Sequence, residues 1–285
     1  MKKLSLAIPA SVVSDTPHLR EKTSKIGLIG RAAAIFRVNE IIVYPDCPEA
    51  DQRNDMDLLA TLLAYMETPQ YLRKTLFKLE PVLQYAGILP PLRTIHHPLN
   101  RRSKDLNVGE YREGVAVSKI REGTLVDIGV ESPAMVANSQ LATGRRVTVK
   151  IVRKTERPVK AELVNRDEVL TYWGYSVTVE KHRFGEMVKS RKFDLAIGTS
   201  KYGLPFVQVA EQIVEKWIRA SSILLAFGAP ALGLNEIVAH EGLRLEDTVD
   251  FVVNTIPSQG TETVRTEEAL IASLAVLNIN MSART

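Results

Sequence analysis

Residues 250–279, DFVVNTIPSQGTETVRTEEALIASLAVLNI, decide the fold, because they contain a strand, a long loop and a helix in succession. The run Asp250–Val253 is rich in β-branched residues and predicts a buried strand. Thr266 is the predicted N-cap of a helix over Thr266–Ile279, and the two glutamates that follow it favour the positive start of that helix. The helix body, ALIASLAVL, is apolar on nearly all sides, so we expect it to be buried in a core or in a subunit interface.

Predicted strands and helices alternate along the rest of the chain, on both sides of a central stretch with a different sequence pattern. Short apolar runs ended by proline, glycine or polar residues predict five more strands, at Leu4–Pro9, Glu40–Pro45, Tyr175–Val179, Phe193–Ile197 and Ser222–Phe227. Apolar residues at helical spacing predict helices over 17–38, 51–67, 69–77 and 208–219. This alternation predicts an α/β domain with a mostly parallel, Rossmann-like sheet.

The central stretch begins after Pro90-Pro91 and contains short valine-rich runs separated by turn signals. The runs are Gly114–Ile120, Thr124–Val130 and Arg146–Val152. Their pattern predicts a small antiparallel β-barrel, preferably OB-like, inserted as a second domain at 90–165. The α/β domain is then discontinuous and comprises 1–89 and 166–285.

Basic residues are concentrated in this insertion. Residues 90–165 contain 14 Lys and Arg against 8 Asp and Glu, whereas the rest of the chain contains 23 against 25. A local basic excess favours binding to phosphate backbones, and Arg145, Arg146 and Lys150 on a predicted strand are the expected RNA contacts. A solvated basic surface without a ligand explains the charge equally well.

Other features of the composition exclude several classes of protein. No run of eighteen or more uncharged apolar residues exists, so we expect no membrane span. The single cysteine, Cys47, cannot form an internal disulfide, and the five histidines lack metal-ligand spacing. We therefore expect a cytoplasmic protein without a metal ion.

Three segments follow predicted strands, at the edge where open α/β sheets place their ligands. They are Ile197–Gly203, Phe227–Gly233 and Asn254–Arg265, and each could also be an ordinary turn. Gly228 and Gly233 have P-loop spacing, but Leu234-Asn235 stands where lysine and a hydroxyl residue would be needed. Because G-x-G-x-x-G is also absent, an adenine-containing cofactor would have to bind these C-terminal segments.

Five stretches of the chain resemble the archaeal and eukaryotic branch of the SPOUT RNA methyltransferases with an inserted OB-like domain. They are SDTPHLREKTSKIGLIGRAAAIFRVNEI (14–41), YLRKTLFKLEPVLQYAGILPPL (71–92), YWGYSVTV (172–179), DLAIGTS (194–200) and VNTIPSQGTETVRTEEALIASLAVLN (253–278). The resemblance implies an α/β fold with a trefoil knot near its C-terminus, a rare topology. It also implies S-adenosylmethionine bound among the knot loops and a homodimer that completes the site.

The resemblance assigns cofactor binding to residues in each of the three segments. They are Thr199 in the first, Gly228 in the second, and Asn254, Thr255, Gln259 and Gly260 in the third. Relatives often carry an arginine in the first segment and a second glycine after the position of Gly228. Here Tyr202 and Ala229 occupy those positions, so the cofactor contacts differ in detail.

The predicted function is methylation of RNA, with ribosomal RNA as the target and a uridine base nitrogen (N3) as the acceptor. The protein must align donor and acceptor, and a protonated ring nitrogen must also lose its proton. Arg31, Arg265 and Glu267 are the candidate catalytic residues, although snorkelling, capping and a local ion pair would also explain them. Two alternatives remain: a non-catalytic RNA-binding assembly factor, and an NAD-linked metabolic enzyme.

Overall fold

The computed structural model describes residues 2–155 and 157–282. The chain forms two compact units. The sheet unit comprises Met1–Met66, Val82–Pro91 and Tyr175–Thr285, and the barrel unit comprises Glu67–Pro81 and Leu92–Gly174.

The sheet unit contains one six-stranded sheet in which every neighbouring pair of strands is parallel. Its strands are β1 (Lys3–Pro9), β2 (Glu40–Tyr44), β8 (Ser176–Val179), β9 (Leu195–Pro205), β10 (Ser222–Ala226) and β11 (Phe251–Asn254), in the order β11-β9-β10-β1-β2-β8. The helices are α1 (Leu19–Ile35), α2 (Arg53–Glu67), α3 (Gln70–Leu76), α4 (Phe184–Arg191), α5 (Phe206–Arg219), α6 (Leu234–Ala239), α7 (Leu245–Thr248) and α8 (Thr266–Ser282), of which α3 belongs to the barrel unit. The predicted parallel α/β sheet is thus confirmed.

Apolar residues explain why this sheet lies at the centre of its unit. The central strands β2 and β10 are continuous apolar runs after one polar residue, and β1 is apolar from Leu6 onward. Their residues are almost all buried, as expected of a parallel sheet covered on both faces. One cluster of the core joins Ala7, Ile42 and Leu224 on these strands to Phe184 on α4 and Ile237 on α6. The helix α8 buries Leu270, Leu274 and Leu277, whereas Ile271 and Ile279 are exposed, so the expected burial of its apolar body is confirmed for one side of the helix.

The barrel unit contains a closed five-stranded barrel. Its strands are β3 (Tyr111–Ile120), β4 (Gly123–Asp127), β5 (Ala134–Ala137), β6 (Arg146–Arg153) and β7 (Lys160–Val164), in the order β3-β4-β5-β7-β6. Four of the pairings are antiparallel, as predicted, whereas β5 and β7 pair in parallel. Ala116, Val126, Val136, Val149 and Ala161, one residue from each strand, lie in its apolar core.

The predicted strands of the barrel and the prediction about membrane spans can both be compared with the strands and helices of the structure. The prediction found β3, β4 and β6 but not β5 and β7, which are only four and five residues long. None of the helices in the described part of the chain is long and apolar enough to cross a membrane.

Candidate active site

Three segments converge at the carboxyl edge of the parallel sheet. The first is Thr199–Gly203 within β9, the second is Phe227–Gly233 after β10, and the third runs from Asn254 at the end of β11 to Arg265 before α8. Because all the strands are parallel, their carboxyl ends meet at one edge, and β9, β10 and β11 are neighbours there. The expected convergence of these segments is therefore confirmed.

The first segment is part of a strand rather than the loop that the sequence predicted. Pairing between β9 and β11 jumps from Gly198 opposite Val252 to Leu204 opposite Val253, so the five intervening residues bulge out of the pairing. Bulges commonly occur beside active sites, where they redirect side chains. The Thr199 hydroxyl donates a hydrogen bond of 2.9 Å to the carbonyl of Ala226, which fixes the bulge to the end of β10.

The second segment folds back tightly on itself at Gly228. A Cβ atom added there would lie 2.7 Å from the backbone nitrogen of Leu234 and 2.9 Å from Cα of Gly233. Only glycine fits this approach without movement of the backbone. The buried Tyr44 at the end of β2 donates a hydrogen bond of 2.8 Å to the carbonyl of Phe227 and so holds the start of the segment.

The third segment is joined to both of the others. The Asn254 side chain donates to the carbonyl of Lys201 at 3.0 Å and accepts from the backbone N–H of Ile256 at 2.9 Å. The predicted capping role of Thr266 is wrong, because its hydroxyl donates to the carbonyl of Gly228 at 3.0 Å. The start of α8 is instead capped by Glu268, whose carboxylate accepts from the backbone N–H of Arg265 at 3.0 Å.

A cavity of about 250 Å³ lies among the three segments. Its volume is slightly below that of typical small-molecule pockets, which enclose roughly 300–1,000 Å³. The lining consists mainly of glycine, hydroxyl, amide and apolar residues, with one lysine and one glutamate. The polar and charged lining residues are Thr199, Ser200, Lys201, Tyr202, Glu236, Asn254, Thr255, Gln259, Thr263 and Thr266.

Five of the six predicted cofactor-binding residues line this cavity: Thr199, Gly228, Asn254, Thr255 and Gln259. Gly260 follows Gln259 in the chain but does not line the cavity, and a Cβ added to it would meet no atom within 4 Å. Tyr202, where relatives often carry arginine, is a lining residue with 73% of its surface exposed. Sequence reasoning missed Glu236, whose position three residues after Gly233 could have indicated it.

None of the three candidate catalytic residues lines the cavity. The Arg31 guanidinium donates to the carbonyl of Pro91 at 2.9 Å. Arg265 is exposed at the start of α8. Glu267 is buried, and its Oε2 lies 3.4 Å from the ammonium of Lys25 on α1, which also forms a 2.7 Å ion pair with Asp15. Their catalytic assignment stays a prediction.

The predicted RNA-contacting residues occupy different environments in the barrel unit. Arg145 is exposed, and Lys150 is half-buried with its ammonium 5.8 Å from the centre of the Tyr111 ring. The Arg146 guanidinium lies 2.7 Å from a Glu67 oxygen and 2.6 Å from a Glu113 oxygen. These two carboxylates occupy donors of Arg146 that a phosphate would otherwise use.

The buried Glu67 is the centre of an ionic network in the barrel unit. Its carboxylate also lies 2.8 Å from Arg166, and His96 Nε2 lies 3.3 Å away. Burial alone would raise the pKa of Glu67, but the His96 hydrogen bond and the charges of Arg146 and Arg166 lower it to about 2. Burial and the neighbouring His96 lower the pKa of His97 to about 4. Glu67 is therefore ionised at neutral pH.

No group of three or more histidine, cysteine or acidic residues with metal-binding geometry occurs within 2–155 and 157–282. The described residues that line the cavity are mainly neutral hydrogen-bonding and apolar groups, with Lys201 and Glu236 as the two charged side chains. A parallel α/β sheet with such a pocket at its carboxyl edge defines a class of proteins that bind small organic ligands, often nucleotides, at that edge.

Comparison with known proteins identifies the family within this class. The chain belongs to the family described as "Putative RNA methyltransferase", whose model matches residues 3–277. It is therefore an RNA methyltransferase. This finding favours the first of the three functions that the sequence predicted.

Three relatives show how far the similarity extends. A protein of Halobacterium salinarum is 33% identical over 290 residues, covering 96% of this chain and 98% of the relative. The 28S rRNA (uridine-N(3))-methyltransferase of Drosophila melanogaster is 35% identical over 309 residues, covering 96% of this chain and 61% of the relative. The Mus musculus protein of the same name is 34% identical over 303 residues, covering 96% of this chain and 75% of the relative.

Proposed function

We propose that this RNA methyltransferase uses S-adenosylmethionine to methylate N3 of a uridine in ribosomal RNA. The observation that carries the proposal is the pocket formed by the three segments at the carboxyl edge of the sheet. The target is suggested by the relatives from Drosophila melanogaster and Mus musculus, whose names specify uridine N3 of 28S rRNA.

The pocket residues fit this donor better than a phosphorylated nucleotide. Phosphate sites usually combine several backbone N–H groups at a helix start with lysine or arginine. Lys201 is the one basic residue among the described residues that line this pocket, whereas amides and hydroxyls predominate. Amide and hydroxyl groups can recognise the edges of a neutral adenine and the hydroxyls of its ribose.

When bound, S-adenosylmethionine supplies an electrophilic methyl group on a positively charged sulfur. The role of the chain is then to hold donor and acceptor in line and to exclude water. Asn254, Thr255 and Gln259 are placed to orient the donor, and the rigid turn at Gly228 shapes the opposite wall. Transfer to N3 would form an N–C bond, break the S–C bond and release the N3 proton. Arg31, Arg265 and Glu267 remain the proposed catalytic residues. Of these, the Glu267 carboxylate is the group that could accept the proton, whereas the guanidinium groups of Arg31 and Arg265 stay protonated and would act by their positive charge.

The barrel is proposed to bind the RNA as an OB-like domain at 90–165. The closed strand order β3-β4-β5-β7-β6 supports this proposal, because OB folds are five-stranded Greek-key barrels that bind oligonucleotides. Arg145 and Lys150 are the proposed phosphate contacts. Arg146, whose guanidinium is held by Glu67 and Glu113, is proposed to contribute its positive charge to the same surface.

A trefoil knot, a homodimer and a cytoplasmic location complete the proposal. The knot would thread the chain beyond β11 through a loop, and the close contacts of Asn254 and Thr266 with the other two segments are compatible with it. Exposed apolar side chains on α8, Ile271 and Ile279, support a dimer interface there. Light scattering of the purified chain tests the dimer.

The decisive experiment is methylation of ribosomal RNA extracted from cells that lack the protein. The purified chain and isotopically labelled S-adenosylmethionine are added, and the digested RNA is analysed for methylated nucleosides by mass spectrometry. We expect label in 3-methyluridine, and a block to reverse transcription at the same nucleotide because N3 lies on the pairing edge. Label in 2′-O-methyluridine would refute the proposed atom, and no label in any nucleoside would refute the proposed substrate.

A further inference from the structure

Two charged side chains, Lys201 and Glu236, line the pocket among the residues that the structure describes. Glu236 lies on α6 and is exposed. Within the described part of the chain, neither the Glu236 carboxylate nor the Lys201 ammonium forms an ion pair. The Lys201 ammonium lies 5.1 Å from the centre of the Tyr202 ring. The pocket therefore carries one negative and one positive group that are available to a ligand.

The Glu236 carboxylate is held beside the second segment. A Cβ atom added to Gly233 would lie 2.6 Å from Oε2 of Glu236, so the carboxylate packs against the bare backbone of that glycine. Gly233 in turn packs against Gly228, where an added Cβ would lie 2.9 Å from Cα of Gly233. The turn that requires glycine at 228 thus also places the carboxylate at the exposed edge of the pocket.

S-adenosylmethionine has a neutral nucleoside end and an amino-acid end with an ammonium and a carboxylate. The amide oxygen of Gln259, whose NH2 group donates to the carbonyls of Thr261 and Glu262, and the remaining amide hydrogen of Asn254 suit the nucleoside. The amino-acid end is better placed at the exposed edge of the pocket, where its ammonium and carboxylate groups stay hydrated. Burial of these two charges would cost much more free energy. We propose that the Glu236 carboxylate binds the α-ammonium group of the donor, an inference that rests on the proposed function.

Calorimetric titration of Glu236→Gln tests this assignment without any measurement of activity. Three ligands are compared: S-adenosylmethionine, S-adenosylhomocysteine, which lacks the positive sulfur, and 5′-methylthioadenosine, which lacks the amino-acid end. A charge-assisted hydrogen bond is worth enough to change affinity about tenfold. We expect Glu236→Gln to weaken the first two ligands about tenfold, by the same factor, and to leave 5′-methylthioadenosine unchanged.

Glu246→Gln is the matched control, because it removes the same charge from the exposed helix α7 outside the pocket. It should leave the affinity for all three ligands unchanged. Thermal unfolding of both variants checks that each is folded.

Four outcomes would overturn the assignment. An unchanged affinity for S-adenosylmethionine would remove any contact with Glu236. A loss for S-adenosylmethionine but not for S-adenosylhomocysteine would place the carboxylate at the sulfonium, and an equal loss for 5′-methylthioadenosine would place it at the nucleoside. If the wild-type chain binds none of the three ligands, the proposed donor itself is wrong and this inference is rejected with it.

Discussion

Gly228→Ala should reduce donor binding sharply while leaving the chain folded. The added Cβ would lie 2.7 Å from the nitrogen of Leu234 and 2.9 Å from the carbonyl carbon of Gly233. Favourable contacts between carbon and other heavy atoms lie at about 3.5–4.0 Å, so the two parts of the loop must separate by roughly 1 Å. Both neighbours are backbone atoms, and a change of side-chain rotamer therefore cannot relieve the collision.

The expected magnitude follows from this displacement. Overpacking of this kind typically costs about 1–3 kcal/mol, which lowers Tm by several degrees in a chain of this size. The displaced loop is one wall of the donor pocket, so we expect S-adenosylmethionine to bind about tenfold or more weakly. Calorimetric titration at a temperature below the first unfolding transition of the variant measures this loss of affinity.

Gly87→Ala is the matched control for this experiment. A Cβ added to Gly87 meets no atom within 4 Å, and Gly87 does not line the pocket. Its affinity and Tm should match those of the wild type. Wild-type donor affinity in Gly228→Ala, together with a normal Tm, would show that the steric argument is wrong or that the loop does not contact the donor.

Three further predictions concern other parts of the chain. Asn254→Ala removes the hydrogen bonds to Lys201 and Ile256, so the bulge should loosen and donor affinity measured by calorimetry should fall, whereas unchanged affinity would contradict a role in the pocket. Glu67→Gln should lower the free energy of unfolding by about 1–3 kcal/mol at pH 7, because it removes the buried carboxylate that pairs with the partly exposed Arg146 and Arg166. Since the pKa of Glu67 is lowered to about 2, the stability that its carboxylate confers is present above about pH 5 and is lost as the pH falls toward 2. Denaturant titrations should show the free energies of unfolding of the wild type and Glu67→Gln converging between about pH 5 and pH 2. A constant difference between them would refute the pKa argument. Replacement of both Arg145 and Lys150 by alanine should weaken RNA binding and reduce the slope of log affinity against log salt concentration by the amount expected for about two phosphate contacts. An unchanged slope would exclude both residues as phosphate contacts.

The sequence predicted the parts of the fold that depend on local patterns. The buried strands β2 and β10 are continuous apolar runs after one polar residue, and β1 is interrupted only by Ser5. A nearly continuous run of this kind between helical segments indicates a parallel strand. The convergence of the three segments also followed from sequence, because parallel strands place their carboxyl ends at one edge.

Features that depend on distant contacts could not be predicted in this way. The residues Thr199–Gly203 read as a loop because glycine and serine interrupt the apolar run, yet β11 pairs on both sides of the bulge. Thr266 has the residue type of an N-cap, but its hydroxyl bonds to Gly228, 38 positions earlier. Arg146 fits a basic binding surface by its alternation along β6, whereas its ion pair with Glu67 spans 79 positions and appears only in the folded chain.

The barrel illustrates a second limit. The strand β5 has four residues, AMVA, all apolar, so it shows no alternation. The strand β7 has five, KAELV, and its alternation covers four positions, the shortest run that indicates a strand. Their pairing with each other is parallel and joins segments that are far apart in sequence. The barrel as a class was predictable from its valine-rich runs, but its strand order was not.

The central claim is that Thr199, Gly228 and Asn254 surround the methyl donor. It is tested most directly by a crystal structure of the chain grown with S-adenosylhomocysteine. We predict electron density for the ligand among the three segments, with polar contacts to the third of them. Density for the ligand elsewhere on the chain, or a pocket without ligand density at a saturating ligand concentration, would contradict the account.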